Sequence, residues 1–229
     1  MTEADQARDI VLDRIRTALH VSKTDGARAA AVRDRLDKHP RGTIPARALV
    51  RGQEAIALFA EMLTEQGAEL VHAANPEEVV RAIADYLASN ELPLALRLSE
   101  EPVLTALPWV LAPSITLSFG AAAPSDTASL ARALVGAAET GTLVMVSGLG
   151  SPTTLNFLPE THMVLIAASD IVGSYEDAFD RLRSLYGAGT LPRTVNLISG
   201  PSRTADIEQT IVRGAHGPKR LFVIVLDEA

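Results

Sequence analysis

From about residue 48 onward, the sequence alternates between segments with helical spacing of apolar residues and short segments that are apolar on both faces. The helical segments are 54–66, 76–89 and 175–185, and a helix or turn is expected at 129–135. The strand candidates are 69–73, 94–98, 109–111, 115–119, 142–147, 163–168, 194–198 and 221–226. Short strands that are apolar on both faces are typical of parallel sheets covered by helices. The order therefore predicts an α/β protein with a largely parallel sheet.

The beginning of the chain departs from this alternation. Two helices are predicted at 2–20 and 25–38, and the Pro and Gly residues of 39–45 indicate a linker. We therefore divide the chain into an N-terminal helical arm, residues 1–47, and an α/β domain, residues 48–229. The apolar residues of the arm are compatible with a homo-oligomer.

Composition excludes several classes of function. The net charge of −7 argues against a nucleic-acid partner, because phosphate binding needs a concentrated basic surface. The 229 residues contain no cysteine, which excludes disulfides, thiolate catalysis and cysteine-ligated iron–sulfur or zinc sites within them. No His/Asp/Glu spacing typical of a metal site is visible. The N-terminus lacks the pattern of a signal peptide and the apolar runs are too short to span a bilayer, so we expect a cytoplasmic protein without membrane contact.

The segment 200–208, GPSRTADIE, is a candidate anion site. It follows the strand candidate 194–198 and precedes apolar residues at helical spacing, so it reads as a strand, a sharp turn and a helix start. Backbone N–H groups at a helix start, beside an arginine, can bind an anion. The candidate ligand-binding residues here are Gly200, Ser202, Arg203, Thr204 and Asp206. A well-capped connection with a surface arginine explains the same residues and stays open.

Two further constellations carry chemistry. The first lies just before a strand and consists of Glu139, Thr140, Gly141 and Thr142. There the Glu139 carboxylate can act as a general base or bind a hydroxyl. Alternatively, Glu139 satisfies backbone amides in a turn. His216 precedes the last strand and, like His162, is a candidate acid or base or else a structural histidine.

Other motifs are incomplete. The segment 147–154, SGLGSPTT, lacks the third glycine of a dinucleotide fingerprint, and the chain has neither a P-loop nor the elbow of a serine hydrolase.

Four motifs resemble, in order and spacing, those of the LUD (lactate utilization) domain family in its short form: ETGT at 139–142, LPETH at 158–162, GPSRTADIE at 200–208 and GAHGP at 214–218. The resemblance implies a three-layer Rossmann-like fold of the NagB/RpiA/CoA-transferase-like group. It also implies a role in bacterial oxidation of L-lactate to pyruvate beside two partner proteins, at least one of which carries iron–sulfur clusters. The lack of cysteine fits the cluster-free member, so we expect no cofactor in this chain.

The leading hypothesis is therefore an accessory, non-redox component that binds an anionic small molecule or a partner protein. In this hypothesis, Arg203 binds a carboxylate or phosphate, aided by the backbone amides of Ser202 and Thr204. The side chains of Glu139, Asp206 and His216 line one edge of the sheet, at the carboxyl ends of its strands. The alternative is a stand-alone enzyme of the CoA-transferase, isomerase or folate cyclo-ligase type, with Glu139 as nucleophile or base. A third hypothesis is a structural module whose loops bind the iron–sulfur partner.

Overall fold

The computed structural model of this protein describes residues 3–205 and 211–227. It divides into two compact units, Met1–Arg41 and Gly42–Ala229. The helices are α1 (Glu3–Ala18), α2 (Gly26–Lys38), α3 (Gln53–Glu65), α4 (Pro76–Ser89), α5 (Pro102–Thr105) and α6 (Tyr175–Tyr186). The strands are β1 (Glu69–Ala73), β2 (Ala95–Leu98), β3 (Thr116–Phe119), β4 (Ala128–Arg132), β5 (Val135–Ala137), β6 (Thr142–Val146), β7 (Thr161–Ala167), β8 (Ile171–Val172), β9 (Val195–Ile198), β10 (Arg203–Ala205), β11 (Ile211–Arg213) and β12 (Arg220–Leu226).

The first unit contains the two helices predicted for the arm. Asp25 caps α2 by accepting a 3.0 Å hydrogen bond from the N–H of Arg28. No residue of α2 is buried, and the apolar side chains Ile10, Val11 and Ile15 of α1 are about half exposed. None of the described helices is long and apolar enough to cross a membrane.

A six-stranded sheet with the order β1-β12-β7-β4-β2-β3 forms the centre of the second unit, and all its pairings are parallel. Alternate residues of β12 enter two cores: Phe222 and Ile224 pack on the side of α4, and Val223 and Val225 on the side of α3. Helices therefore cover both faces, which confirms the predicted α/β class with a mostly parallel sheet.

A second sheet, with the order β8-β5-β6-β9, packs on the α3 side and carries α6 on its other face. In it β6 runs antiparallel to β5 and β9. The helix or turn expected at 129–135 was wrong, because this Ala- and Leu-rich segment forms β4 and the start of β5. Its central position beside β7 and β2 overrides local helix propensity. The strand expected at 109–111 was also wrong: this segment is a short 3₁₀ turn between Pro108 and Pro113.

The helix expected after Gly200 was wrong for the described residues, because β10 and β11 form an antiparallel ladder in which Arg203 is opposite Arg213. Thr204, Ile211 and Val212 are β-branched, which favours a strand over a short helix. The predicted helix N-terminus is therefore absent from 202–205, and with it the helix-dipole contribution to an anion site. Asp206 lies outside the described residues.

Candidate functional site

A cavity of about 250 Å³ lies where three of the sequence motifs meet. Its wall includes the loop 200–202, the loop 216–218 and His162, and we call it the histidine cavity. His162 is the second residue of β7 and pairs in register with Leu221 of β12, which also lines the cavity. The site is therefore at the amino ends of these strands. The expectation that His216 lies at their carboxyl ends was wrong, because its loop leads into β12 rather than out of it.

Two backbone hydrogen bonds hold the cavity loops together. The N–H of Ser202 donates to the carbonyl of Pro218 at 2.8 Å, and the N–H of Gly214 donates to the carbonyl of Ser202 at 3.0 Å. The Ser202 amide is thus committed to the fold, so its predicted role as an anion donor was wrong. Gly200 lies against α3: a Cβ there would come within 2.9 Å of the Cβ of Gln66, so only glycine fits without a shift.

Two buried polar side chains line the cavity, Asn156 with 6% of its surface exposed and His162 with none. The His162 ring has no exposed surface, and burial lowers its pKa from 6.5 to about 3. Nδ1 lies 3.1 Å from the hydroxyl oxygen of Ser129, which itself donates to the carbonyl of Leu155 at 2.6 Å. Nε2 has no hydrogen-bond partner among the described residues. His162 is therefore neutral near pH 7 and carries one unsatisfied nitrogen.

The 139–142 turn adjoins the cavity through a cluster of four hydroxyls. The oxygen of Thr142 lies 2.6 Å from that of Ser199, a cavity residue, and 2.7 Å from those of Thr140 and Tyr175. Gly141 has a φ of +61° and lies against the backbone of Leu63, so a side chain at this position is excluded. We call Thr140, Thr142, Tyr175 and Ser199 the hydroxyl cluster.

Glu139 is buried, with 6% of its surface exposed. One carboxylate oxygen accepts the N–H of Tyr175, the first residue of α6, at 2.8 Å, and the Glu139 N–H donates to the carbonyl of Gly173 at 3.0 Å. The carboxylate thus satisfies an amide at a helix start, where the helix dipole favours negative charge.

Arg203 does not line the histidine cavity. A Cβ built on Gly67 would overlap the Arg203 guanidinium, which lies over this glycine just beyond the carboxyl end of α3. Such a position suits a cation, because helix carboxyl ends carry partial negative charge. Thr204 is paired with Val212 in the hairpin. The structure therefore brings Gly200, Ser202 and His216 together and leaves Arg203 aside.

Sequence reasoning missed Ser129, Ser199 and Tyr175 as residues of this region. Ser129 was missed because its segment was expected to be a helix or turn, whereas in β4 it is the register partner of His162. Ser199 directly precedes the 200–208 motif, so its position was a usable signal. Tyr175 gave none, since it is 33 residues from Thr142.

The glycine-rich segment after β6 borders a different cavity, of about 230 Å³. Arg132, Ser147, Gly150 and Glu101 are among its lining residues. One guanidinium nitrogen of Arg132 lies 3.0 Å from the carboxylate of Asp170, which also binds Arg181. In the described part of the chain, no group of three or more His, Cys, Asp and Glu residues could hold a metal ion.

Comparison with known proteins matches residues 56–226 to the LUD domain family. Lactate utilization protein C of Shouchella clausii is 40% identical over 91 residues, which cover 40% of this chain and 40% of that protein. The protein of the same name from Bacillus subtilis is 38% identical over 92 residues, covering 39% of this chain and 38% of that protein. These alignments span about two fifths of the length of the curated relatives.

A solved structure has the same fold. The crystal structure of a DUF162 family protein from Deinococcus radiodurans superposes with a TM-score of 0.59 at 20% identity, covering 77% of this chain and 99% of that chain.

Proposed function

The chain belongs to the LUD domain family, and from this premise we propose that it is an accessory, non-redox component of a bacterial system that oxidises L-lactate to pyruvate. The names of its relatives, lactate utilization protein C, support a role in lactate utilization. The 229 residues contain no cysteine, the usual ligand of iron–sulfur clusters, so we assign the electron transfer to partner proteins that carry such clusters.

The observation that carries the proposal is the convergence of the family motifs on one cavity. His162 ends the second motif, the 200–202 loop begins the third, and His216 lies in the fourth. These residues are far apart in sequence yet line one space, and the first motif reaches it through the Thr142–Ser199 contact. Packing alone does not require polar loops to meet around a cavity, whereas a binding site does.

We propose that this cavity binds a small anionic molecule of the pathway. Its volume of about 250 Å³ falls below the range of roughly 300–1,000 Å³ that is typical for drug-sized ligands, which favours a molecule of few heavy atoms. His216 is exposed in the wall and can meet a carboxylate at the mouth, and the hydroxyl of Ser202 can donate a hydrogen bond.

Growth on L-lactate tests the proposal in a bacterium that lacks its own lactate utilization protein C and expresses this chain. His216→Ala removes the candidate donor to a carboxylate at the mouth of the cavity. Gly217→Val adds a branched side chain beside Ser202 and Phe157, where a Cβ finds ordinary contacts, and so narrows the cavity. We expect slower growth for both variants at normal protein levels. The control is His72→Ala, which removes an exposed histidine outside the cavity. Wild-type growth of both cavity variants would contradict the proposal.

The partner is tested by co-purification. If the chain works with an iron–sulfur protein of the lactate system, the tagged wild type should retain that protein from cells grown on L-lactate. Loss of the partner in Gly217→Val, but not in His72→Ala, would place the contact at the cavity loops. If both variants retain the partner protein, the partner binds at a surface other than the cavity loops.

A further inference from the structure

The two nitrogens of His162 can be assigned from the hydrogen bonds of Ser129. The Ser129 hydroxyl has a single proton and lies 2.6 Å from the carbonyl oxygen of Leu155. Two oxygens at this distance repel unless a proton lies between them, so Ser129 donates to Leu155. Ser129 can then only accept from the imidazole, and the proton of the neutral ring is on Nδ1. Nε2 is left with a lone pair and no proton.

The missing partner of this lone pair distinguishes His162 from an ordinary core histidine. Buried polar atoms in proteins almost always have a partner, and Nε2 has none among the described residues. The described part of the chain contains one other such side-chain atom, the hydroxyl oxygen of Thr161. Thr161 points to the opposite face of β7 and does not line the cavity, whereas His162 does.

We propose that the histidine cavity selects a ligand that donates a hydroxyl hydrogen bond to Nε2 of His162, which in the lactate pathway means a 2-hydroxy carboxylate and not the corresponding 2-oxo carboxylate. The inference rests on the proposed function for the identity of the pathway. A carbonyl or carboxylate oxygen of the ligand placed at Nε2 would bring its own lone pair against that of the nitrogen, and the two repel. The carboxylate of the ligand is therefore directed toward the exposed His216. Because no surface of the ring is exposed, the ligand displaces part of the loop wall as it binds.

Calorimetric titration of the full chain with L-lactate and with pyruvate tests the selectivity. The two probes have the same carboxylate and differ in the hydroxyl. We expect L-lactate to bind at least about tenfold more tightly, as for one hydrogen bond made or lost in a buried site. His162→Leu should abolish the preference and His162→Gln, which keeps an acceptor, should retain part of it. Thr161→Val, the matched change of a buried unpartnered group outside the cavity, should bind like the wild type.

Nitrogen NMR of histidine-labelled wild type provides a readout that needs no variant. We expect a protonated Nδ1 and an unprotonated Nε2, with the Nε2 resonance shifting when L-lactate is added and not when pyruvate is added. The inference would be overturned by a proton on Nε2 or by equal affinity for the two probes. It would also be overturned if the Nε2 resonance does not shift with L-lactate, because only a water molecule then contacts this nitrogen.

The inference and the proposed function can fail separately. Slower growth of the cavity variants without lactate binding would remove the donor selectivity and keep the role in lactate oxidation. Selective lactate binding with normal growth of every variant would keep the selectivity and remove the proposed role.

Discussion

The hydroxyl oxygens of Thr142 and Ser199 lie 2.6 Å apart, and this contact joins the first residue of β6 to the loop that follows β9. Thr142 is fully buried and also contacts the hydroxyls of Thr140 and Tyr175. It is therefore the centre of the hydroxyl cluster, and through Ser199 it supports the wall of the histidine cavity.

We expect Thr142→Val to lower the free energy of unfolding by about 2 kcal/mol, because it leaves three partly buried hydroxyls with one partner fewer. Ser199→Ala removes one contact and should cost about 1 kcal/mol. Urea unfolding of both variants and of the double variant measures the coupling. Ser184→Ala, an exposed hydroxyl on α6, is the control and should change stability by less than about 0.5 kcal/mol. Strict additivity of the first two changes would contradict a shared cluster.

Substitution of Glu139 separates a structural carboxylate from a chemical one. Glu139→Gln keeps an oxygen for the Tyr175 N–H, so we expect stability within about 1 kcal/mol of the wild type and normal growth on L-lactate. Glu139→Ala leaves that amide without its acceptor and should cost about 1–2 kcal/mol.

Thermal unfolding and growth complementation are both needed for Glu139. A Glu139→Gln variant that is stable but fails to grow would assign a chemical role to the carboxylate. That outcome would favour the stand-alone enzyme, which would then turn over CoA thioesters or phosphosugars.

Arg203 is expected to contribute little to ligand binding, because its guanidinium lies over Gly67 and not in the cavity wall. Arg203→Ala should leave the affinity for L-lactate within about twofold and stability within about 0.5 kcal/mol. Arg213→Ala is the matched control, since Arg213 is exposed and directly opposite in the hairpin. A loss of affinity of about tenfold or more in Arg203→Ala alone would restore Arg203 as the anion ligand predicted from the sequence.

The sequence predicted the elements whose patterning is strong. Strands such as β7 and β12 are apolar on both faces, and α4 combines an Asn75 cap with Pro76 at its first turn, so these elements could be recognised locally. The segment 128–137 could not, because its alanines and leucines favour a helix and only its place between neighbouring strands makes it extended.

The candidate site was predicted in part for the same reason. The loops at 200–202 and 216–218 were marked by their own residues, but their contact is a tertiary hydrogen bond between Ser202 and Pro218. The contact between Ser129 and His162 joins residues 33 positions apart on the neighbouring strands β4 and β7, and β4 was not expected from the sequence. Local sequence patterns therefore identify the loops that line the cavity, whereas the strand register of the sheet determines how they are arranged.

The pH dependence of stability tests the burial of His162. Its pKa falls from 6.5 to about 3 on folding, so between these values the unfolded chain binds a proton that the folded chain does not. Unfolding is then favoured as the pH drops, with a slope of up to about 1.4 kcal/mol per pH unit. His162→Leu removes this group, so its stability relative to the wild type should improve by about 2 kcal/mol between roughly pH 7.5 and pH 5.

Urea unfolding of the wild type, His162→Leu and Thr161→Val at the two pH values measures this effect. The carboxyls of Asp126 and Glu160, whose pKa values are lowered by Arg97 and Lys219, are common to all three chains and titrate mainly below this window. The exposed histidines are common to them as well, so they cancel in the comparison. Thr161→Val should follow the wild type. An identical pH dependence in His162→Leu would mean that His162 titrates normally in the folded protein, because its ring is then open to water rather than sealed behind the cavity loops.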